Sequence, residues 1–503
     1  MEYAIAVIDI GMTNKKVAVY DDALRQLDAK YRSFAPKIVD GLETHDLEGM
    51  EEWFLDELAQ AAKRFSIKAI AVSTHGATFV CLGRDGKAAL PCVYYTHDPG
   101  GDFHQRFYET FGSATELQAR TGTLALDAMI NSAKGLYFAQ RHFRDEFKNV
   151  ATVLHYPQYW GFRLTGNAGM ENTCMGCHTY LWDQVDGCLS SVARDLGMTG
   201  LLPEKLSNSW DALGTIRADI AERTGLAPDT IVTLGIHDSN ASLLPHFAKK
   251  GETGFTINST GTWCVTMNPV KEYGFARDEI GKAVFFNISA FGTPVKTALF
   301  MGGQEMETWA KVLMSRHARD DFPDYDEALY RKILRDADCF LLPELLAGTG
   351  QFPGSKPRIV EGGKTWDYDD IKAGASLPPC FDDYEKGFAV LQISLAMQSL
   401  VALERTGLQR GSAVITEGGF RKSAGYNRIL SAALRDNGVY LTGIAEATAL
   451  GAAMTAKMAL TGKALAELAG DFDPDYQEVE KSDMPELFLY RNAWMEQVAQ
   501  PCN

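Results

Sequence analysis

Several short stretches of this chain bring together residue types that handle phosphate and hydroxyl groups. The first, Asp9-Ile-Gly-Met-Thr-Asn-Lys-Lys16, sets a carboxylate at the end of an apolar run, then a glycine, a hydroxyl, an amide and two cations. A turn of that make-up lets backbone N–H groups and a hydroxyl come close to phosphate oxygens, since glycine removes the Cβ that would bar the approach. It is not a Walker loop, because the two-glycine spacing ending in Gly-Lys-Ser or Gly-Lys-Thr is missing. An ordinary hairpin turn is the competing reading. Cys174-Met-Gly-Cys177 has the spacing of a redox or zinc pair, but no second pair or nearby His pair completes a tetrahedral set, and His178 is next to Cys177 in the chain. A metal centre is not expected there.

The elements that must position these residues follow from the apolar pattern. Ala4 to Ile10 is a β-branched run ending at Gly11, and Val17 to Tyr20 follows a polar break, which predicts a hairpin. Leu55 to Phe65 has helical spacing, Ile67 to Ser73 reads as a strand, and Thr78 to Leu82 with Asp85-Gly86 predicts a second hairpin. After residue 240 the opening pattern returns: Gly254 to Gly261, a Gly-Thr turn, then Trp263 to Met267. Phe388 to Glu404 is a long apolar helix, followed by the strand Ala413 to Thr416, the turn Glu417 to Gly419 and the helix Tyr426 to Leu434. The Gly-, Pro- and Asp-rich stretch 350–385 reads as a long surface connection.

Bulk properties bound the answer. A chain of 503 residues exceeds the roughly 250 to 300 that one core supports, so two large domains are expected. With 46% apolar and 23% charged residues it is a packed globular protein. A net charge of −16 argues against a nucleic-acid binder, which would need Lys and Arg to displace counterions. Nine scattered cysteines are unlike a secreted disulfide framework, and the start MEYAIAVIDIG has neither the form of a secretory signal nor that of a membrane span. The expectation is a cytoplasmic protein with no membrane partner.

Three further stretches, in order along the chain, change the weight of the first: Gly235-Ile-His-Asp-Ser239, Ser259-Thr-Gly-Thr-Trp263, and Thr416-Glu-Gly-Gly-Phe420 followed by Ala445 to Ala453. Together with Tyr156 to Gly166, which runs through aromatic residues to Arg-Leu-Thr-Gly, and Trp182-Asp183, they resemble the FGGY carbohydrate kinases over nearly the whole chain. Leu342 to Gly348 with Pro353 resembles a later family pattern loosely. His237-Asp238 and Ser259 to Trp263 are nearest in motif to the rhamnulokinase branch.

The resemblance implies an α/β fold of two actin-like (ribonuclease H-like) domains, each a mixed five-stranded sheet flanked by helices, with a cleft between them. Residues 1–245 would carry the sugar site and first phosphate turn, and residues 246–503 the nucleotide site. It implies ATP and Mg2+ as cofactors, with Asp238 as catalytic base and Asp9 as the metal partner. Thr13, Asn14 and Lys15 would meet phosphate, as would Gly261 and Thr262. Gly303, Gly418, Gly419 and Asn427 complete the nucleotide set.

His75, Gly76, Thr78, Asp98 and His237 are the candidates for the sugar, with His97 open between contact and lining. Asp98 accepts hydroxyl bonds in that reading and caps the Pro99-Gly100-Gly101 turn in the competing one. Asp238, too, has a competing reading as a helix N-cap before Ala241 to Leu244. The family's usual Arg after Asp98 is absent, Met12 stands where Thr is common, and Glu417 where a small residue is frequent. The expected acceptor is a ketose or deoxy-ketose resembling rhamnulose. Xylulose, fuculose or a polyol is the alternative within the class, and a non-catalytic actin-type ATP-binding sugar sensor the alternative outside it. A homodimer stays open as the oligomeric state.

Overall fold

The computed structural model describes residues 2–126, 128–346, 348–444 and 446–500, so Ala445 of the last motif and Cys502 lie outside the described residues. Two mixed sheets of seven strands organise the chain. In the first, Ala4–Ile10 pairs antiparallel with Asn14–Asp21, which pairs antiparallel with Gln26–Ser33. On its other side Ala4–Ile10 runs parallel to Ile67–Thr74, and that strand runs parallel to Ile231–Thr233. These five make the expected set, and the short strands Ala212–Thr215 and Ile236–His237 add two more.

The second sheet repeats the plan. Phe255–Thr260 pairs antiparallel with Cys264–Pro269, which pairs with Pro294–Phe300, while Ala413–Gly418 and Val439–Leu441 continue in parallel on the other side. Val284–Ile288 and Gln477–Glu478 are its extra edges.

The opening hairpin is tighter than its sequence pattern suggested, because Ile10 pairs with Lys15 and leaves only Gly11 to Asn14 as the turn. The helix expected from Leu55 to Phe65 begins earlier, at Leu47, because Asp46 Oδ1 accepts from Gly49 N at 2.9 Å and caps the orphan N–H groups. Phe79–Leu82 makes only a single bridge across the Asp85-Gly86 turn, and its main partner is Thr152–His155. The stretch 350–385 is only partly a surface connection: 362–376 is mostly exposed, but the stretch also carries a buried strand. Arg358–Glu361 within it is buried as the middle strand between Cys339–Leu342 and Lys364–Asp367.

The helix Tyr384–Arg405 is buried nearly all round, which its continuous apolar sequence requires. Among the described residues it is the one helix long and apolar enough to cross a membrane, and 94% of its apolar window lies inside the protein. Between the sheets, the helix Asp238–Lys250 crosses the helix Ala447–Thr461 closely: a Cβ on Gly451 would sit 1.9 Å from Ala241 O. One apolar cluster runs through this crossing, from Ile5 and Val7 through Leu243 and Leu244 to Ile257, Ile415 and Met454. The first turn of Asp238–Lys250 is thereby held against both sheets.

Candidate active site

The two phosphate-type turns stand at matching ends of the two sheets. Asp9 closes its strand opposite Lys16, whose Nζ lies 3.1 Å from Asp9 Oδ2 and also bonds Glu446 Oε2. Tyr31 donates to the other Glu446 oxygen at 2.9 Å. Burial pushes the Asp9 carboxyl up to about 6, against the pull of Lys16 and with added repulsion from Asp238 and Glu446.

Thr13 and Asn14 are exposed at the turn, with Asn14 Oδ1 accepting from Ser33 Oγ at 2.9 Å. Lys15 departs from expectation. It is fully buried and donates to the carbonyls of Gly11 (3.0 Å) and Met12 (2.7 Å), so it braces the turn from below and is not free for phosphate. Neighbours on a strand point to opposite faces, which is why Lys16, not Lys15, meets Asp9.

In the second turn, glycines are required by close approach. Gly418 has φ +79°, and a Cβ there would lie 2.3 Å from Thr260 O, its parallel partner. Thr260 Oγ1 donates to Glu417 O and accepts from Phe420 N at 2.9 Å, tying the strand ends together. A Cβ on Gly303 would lie 2.0 Å from Gly261 O, so the helix Gly302–His317 starts directly on the Gly-Thr turn. Gly419 has room, at 3.6 Å from the nearest atom.

A hollow of about 630 Å³ opens beside these residues, lined by Gly261, Thr262, Gly303, Phe322, Tyr325 and Gly419 among others. Phe322 and Tyr325 had no sequence signal, because they come from an irregular segment after the helix. Asn427 is buried and turned inward: its Nδ2 donates to the Phe420 and Ser423 carbonyls, both at 2.8 Å. It shapes the loop instead of standing in the wall as expected.

A second hollow of about 650 Å³ shares Gly419 and Lys422 with the first and reaches Asp238, Ser259 and Gly418. Asp238 opens the helix Asp238–Lys250. Its Oδ1 accepts from Ser239 N (2.6 Å) and Ser239 Oγ (3.2 Å), and lies 3.2 Å from His237 Nε2. Burial raises the Asp238 carboxyl above the usual carboxylate value, while His75 and the Ser239 donors oppose the rise.

His237 is buried and held neutral, down to about 4, by desolvation. The His237 backbone N–H donates to Thr173 Oγ1 at 2.9 Å, and Glu171 caps the short helix Asn172–Met175 through Thr173 N and Cys174 N. Gly76 lies against the imidazole, where a Cβ would be 3.0 Å from His237 Nε2.

His75 completes this wall. Its Nδ1 lies 3.1 Å from Gly76 O and 3.4 Å from Thr78 Oγ1, and its ring packs against Tyr95, Tyr156 and His45. Burial holds it down to about 4. A neutral ring that donates from Nδ1 leaves Nε2 as an acceptor, and that atom is buried without a partner among the described residues. Tyr95, whose hydroxyl feels Asp238, is a pocket residue that linear spacing did not single out.

Asp98 does not join this group. It is 67% exposed, and Oδ1 accepts from Gly100 N at 2.9 Å with His104 Nε2 3.6 Å away. The turn-capping reading describes it. His97 packs on Phe138.

Cys174 and Cys177 are buried, with Cys177 Sγ 3.6 Å from His237 Nε2. Cys339, Glu361 and Cys380 converge elsewhere, but Glu361 already accepts from Lys386 Nζ and Cys380 N, each at 2.7 Å.

Residues 4–245 match the family model for the FGGY family of carbohydrate kinases, N-terminal domain, and residues 252–464 match that for carbohydrate kinase FGGY, C-terminal domain. A rhamnulokinase from Bacteroides thetaiotaomicron is 23% identical over 219 residues, covering 43% of this chain and 44% of that relative, so the alignment spans less than half of it. A carbohydrate kinase from Novosphingobium aromaticivorans superposes with a TM-score of 0.82 at 28% identity, covering 99% of this chain and 98% of the other. A ligand-bound xylulose kinase from Lactobacillus acidophilus shares the fold at 16% identity, with a TM-score of 0.78 over 98% of this chain and 96% of that one.

Proposed function

The chain belongs to the FGGY family of carbohydrate kinases, and from that premise we propose that it moves the γ-phosphoryl group of ATP onto a hydroxyl of an uncharged ketose or deoxy-ketose, with Asp238 as the base. The observation that carries this reading is the asymmetry of Asp238. Oδ1 takes every side-chain and backbone donor named above, so Oδ2 is the oxygen left to accept a hydroxyl proton. Phosphoryl transfer asks little more of a base than to orient the attacking hydroxyl and take its proton late, and a carboxyl raised by burial is well matched to that task.

The nucleotide fits the paired hollows. The base and ribose would lie between Phe322, Tyr325 and Gly419, with the phosphates toward Gly261, Thr262 and Thr13, where hydroxyls and backbone donors stand and Gly261 leaves room for close approach. Asp9 and Glu446 share the ammonium of Lys16, and Asp238 is near enough to repel Asp9, a concentration of carboxylates that suits a hard divalent cation. Asp9 would hold it, directly or through water. Mg2+ supplies neutralisation of the phosphate oxygens during transfer.

His75 Nε2 and Asp238 Oδ2 face the acceptor. Both imidazoles of this wall are neutral, and Lys15, whose field reaches His75, is already spent on two carbonyls. Among the described residues of this wall none offers a cationic donor directly to a sugar carboxylate, which favours a neutral sugar over a sugar acid. Behind Thr78 and Tyr95 lies a narrow apolar hollow of about 20 Å³, lined by Phe79, Val93, Met129 and Phe138, which suits a methyl better than a hydroxyl. That favours a deoxy-ketose, in keeping with the similarity to a rhamnulokinase. ATP as donor fits a cytoplasmic location.

The test is ADP release by the purified chain across ketoses, deoxy-ketoses, polyols and aldonates, followed by identification of the phosphorylated carbon. Turnover well above the sugar-free rate with an uncharged ketose, and none with an aldonate, is the expected outcome. ATP turnover indifferent to every sugar would point to a nucleotide-binding switch.

A further inference from the structure

A chain of three side chains ends on Asp238. Asn240, 1% exposed, lies with Nδ2 3.2 Å from His237 Nδ1, and His237 Nε2 lies 3.2 Å from Asp238 Oδ1. A neutral imidazole has one donor nitrogen and one acceptor, so whatever Asn240 presents at one end decides what Asp238 receives at the other.

Two arrangements are open to a neutral ring. If Asn240 presents its NH2, Nδ1 accepts, the ring proton sits on Nε2, and it stands between Asp238 Oδ1 at 3.2 Å and Cys177 Sγ at 3.6 Å, of which the carboxylate is the stronger acceptor. If Asn240 presents Oδ1, the proton moves to Nδ1 and the bare Nε2 faces a carboxylate oxygen, lone pair against lone pair. Cys177 Sγ, 3.6 Å from Nε2, could then offer only a weak S–H donor. The first arrangement leaves Asn240 Oδ1 without a partner among the described residues. A neutral amide oxygen left bare costs less than repulsion at an ionised carboxylate, so the charge on Asp238 selects the first.

We propose that Asn240 is a positioning residue for phosphoryl transfer: by donating to Nδ1 it locks His237 in the Nε2–H tautomer, whose proton holds Asp238 Oδ1 and turns Oδ2 toward the acceptor hydroxyl. The inference rests on the reading of Asp238 as base. It explains why an amide, and not an apolar residue, stands in the first turn of a helix that is otherwise packed between two sheets. Asn is a poor helix former, so its place here is not a matter of propensity.

The experiment is NMR of the full-length chain labelled with ¹⁵N-histidine, the His237 signals being identified by their loss in His237→Gln. The expected result is a proton on Nε2 and none on Nδ1. Asn240→Asp keeps the shape and, at a pH high enough to ionise it, can only accept, so it should then put a proton on Nδ1. It should also lower kcat for sugar phosphorylation about tenfold, the worth of one buried hydrogen bond, and leave the KM for ATP within about twofold.

Asn240→Leu, which brings no charge, should lose kcat in the same sense. An active wild-type chain with its proton on Nδ1 overturns this inference alone, as does unchanged kcat in both variants. A wild-type chain that phosphorylates no sugar overturns the base assignment and the positioning role with it, whatever the tautomer.

Discussion

Gly418 and Gly419 stand side by side in the sequence, yet replacing each with Ala should have very different consequences. At Gly418 the backbone is at φ +79° and ψ −150°, a region almost closed to residues with a Cβ, and holding Ala there costs about 1 to 3 kcal/mol. The added Cβ would also lie 2.3 Å from Thr260 O, a backbone atom that can retreat only by opening the parallel pair. Opening it strains the Phe420 N to Thr260 Oγ1 bond, worth about 1 kcal/mol.

The sum is about 3 kcal/mol for Gly418→Ala, and at about 2 to 4 °C per kcal/mol for a domain of this size the Tm should fall by about 10 °C. Because Gly418 lines one hollow and holds the adjoining Gly419, which lines both, the KM for ATP should rise severalfold. Gly419→Ala meets nothing closer than 3.6 Å and should keep its Tm within about 2 °C, any loss appearing in ATP affinity alone. Scanning calorimetry with and without ATP separates the two. A Gly418→Ala chain as stable as the wild type, or a Gly419→Ala chain as damaged, would refute this account of the turn.

Asp98→Ala removes a turn cap from an exposed position, so the Tm should fall by a few degrees while kcat/KM for the sugar stays within about twofold; a loss of tenfold or more would return Asp98 to the sugar site. Glu305 is buried in the helix behind the Gly-Thr turn, accepting from Gln398 Nε2 at 2.7 Å, and burial raises its carboxyl from 4.5 to about 7. A raised carboxyl stabilises the fold below the unfolded pKa, and that contribution is lost as pH rises through the folded value. The wild type should therefore lose on the order of 3 kcal/mol relative to Glu305→Gln between pH 4.5 and 8, read from urea unfolding at the two pH values; parallel curves would contradict it.

What could be read from the sequence was whatever local pattern determines. Ala4 to Ile10 and Ile67 to Ser73 are short β-branched runs whose burial on both faces leaves no other element open to them, and both are central strands. The Gly-Thr and Gly-Gly turns were legible because a close backbone approach demands glycine wherever it occurs.

What linear spacing cannot carry is the partner across the fold. Lys15 and Lys16 are equal as residue types, and only pairing with Ala4–Ile10 decides which one meets Asp9. Glu446 reaches Lys16 from 430 residues away. Asn427 and Asp98 are polar residues near motifs, but each had a backbone group closer to hand than any ligand. The stretch 350–385 misled because Gly and Pro flank a short buried strand there as readily as they fill a loop.

With Asp238 proposed as the base, Asp238→Asn is the most direct test. The amide keeps the size and the seat of the side chain at the start of its helix but cannot take up the acceptor proton. Measured on the sugar that the wild type uses best, phosphorylation should fall by about a thousandfold or more, with ATP affinity, read by calorimetric titration, within about threefold. A variant that phosphorylates the sugar within tenfold of the wild-type rate would remove Asp238 from the role of base.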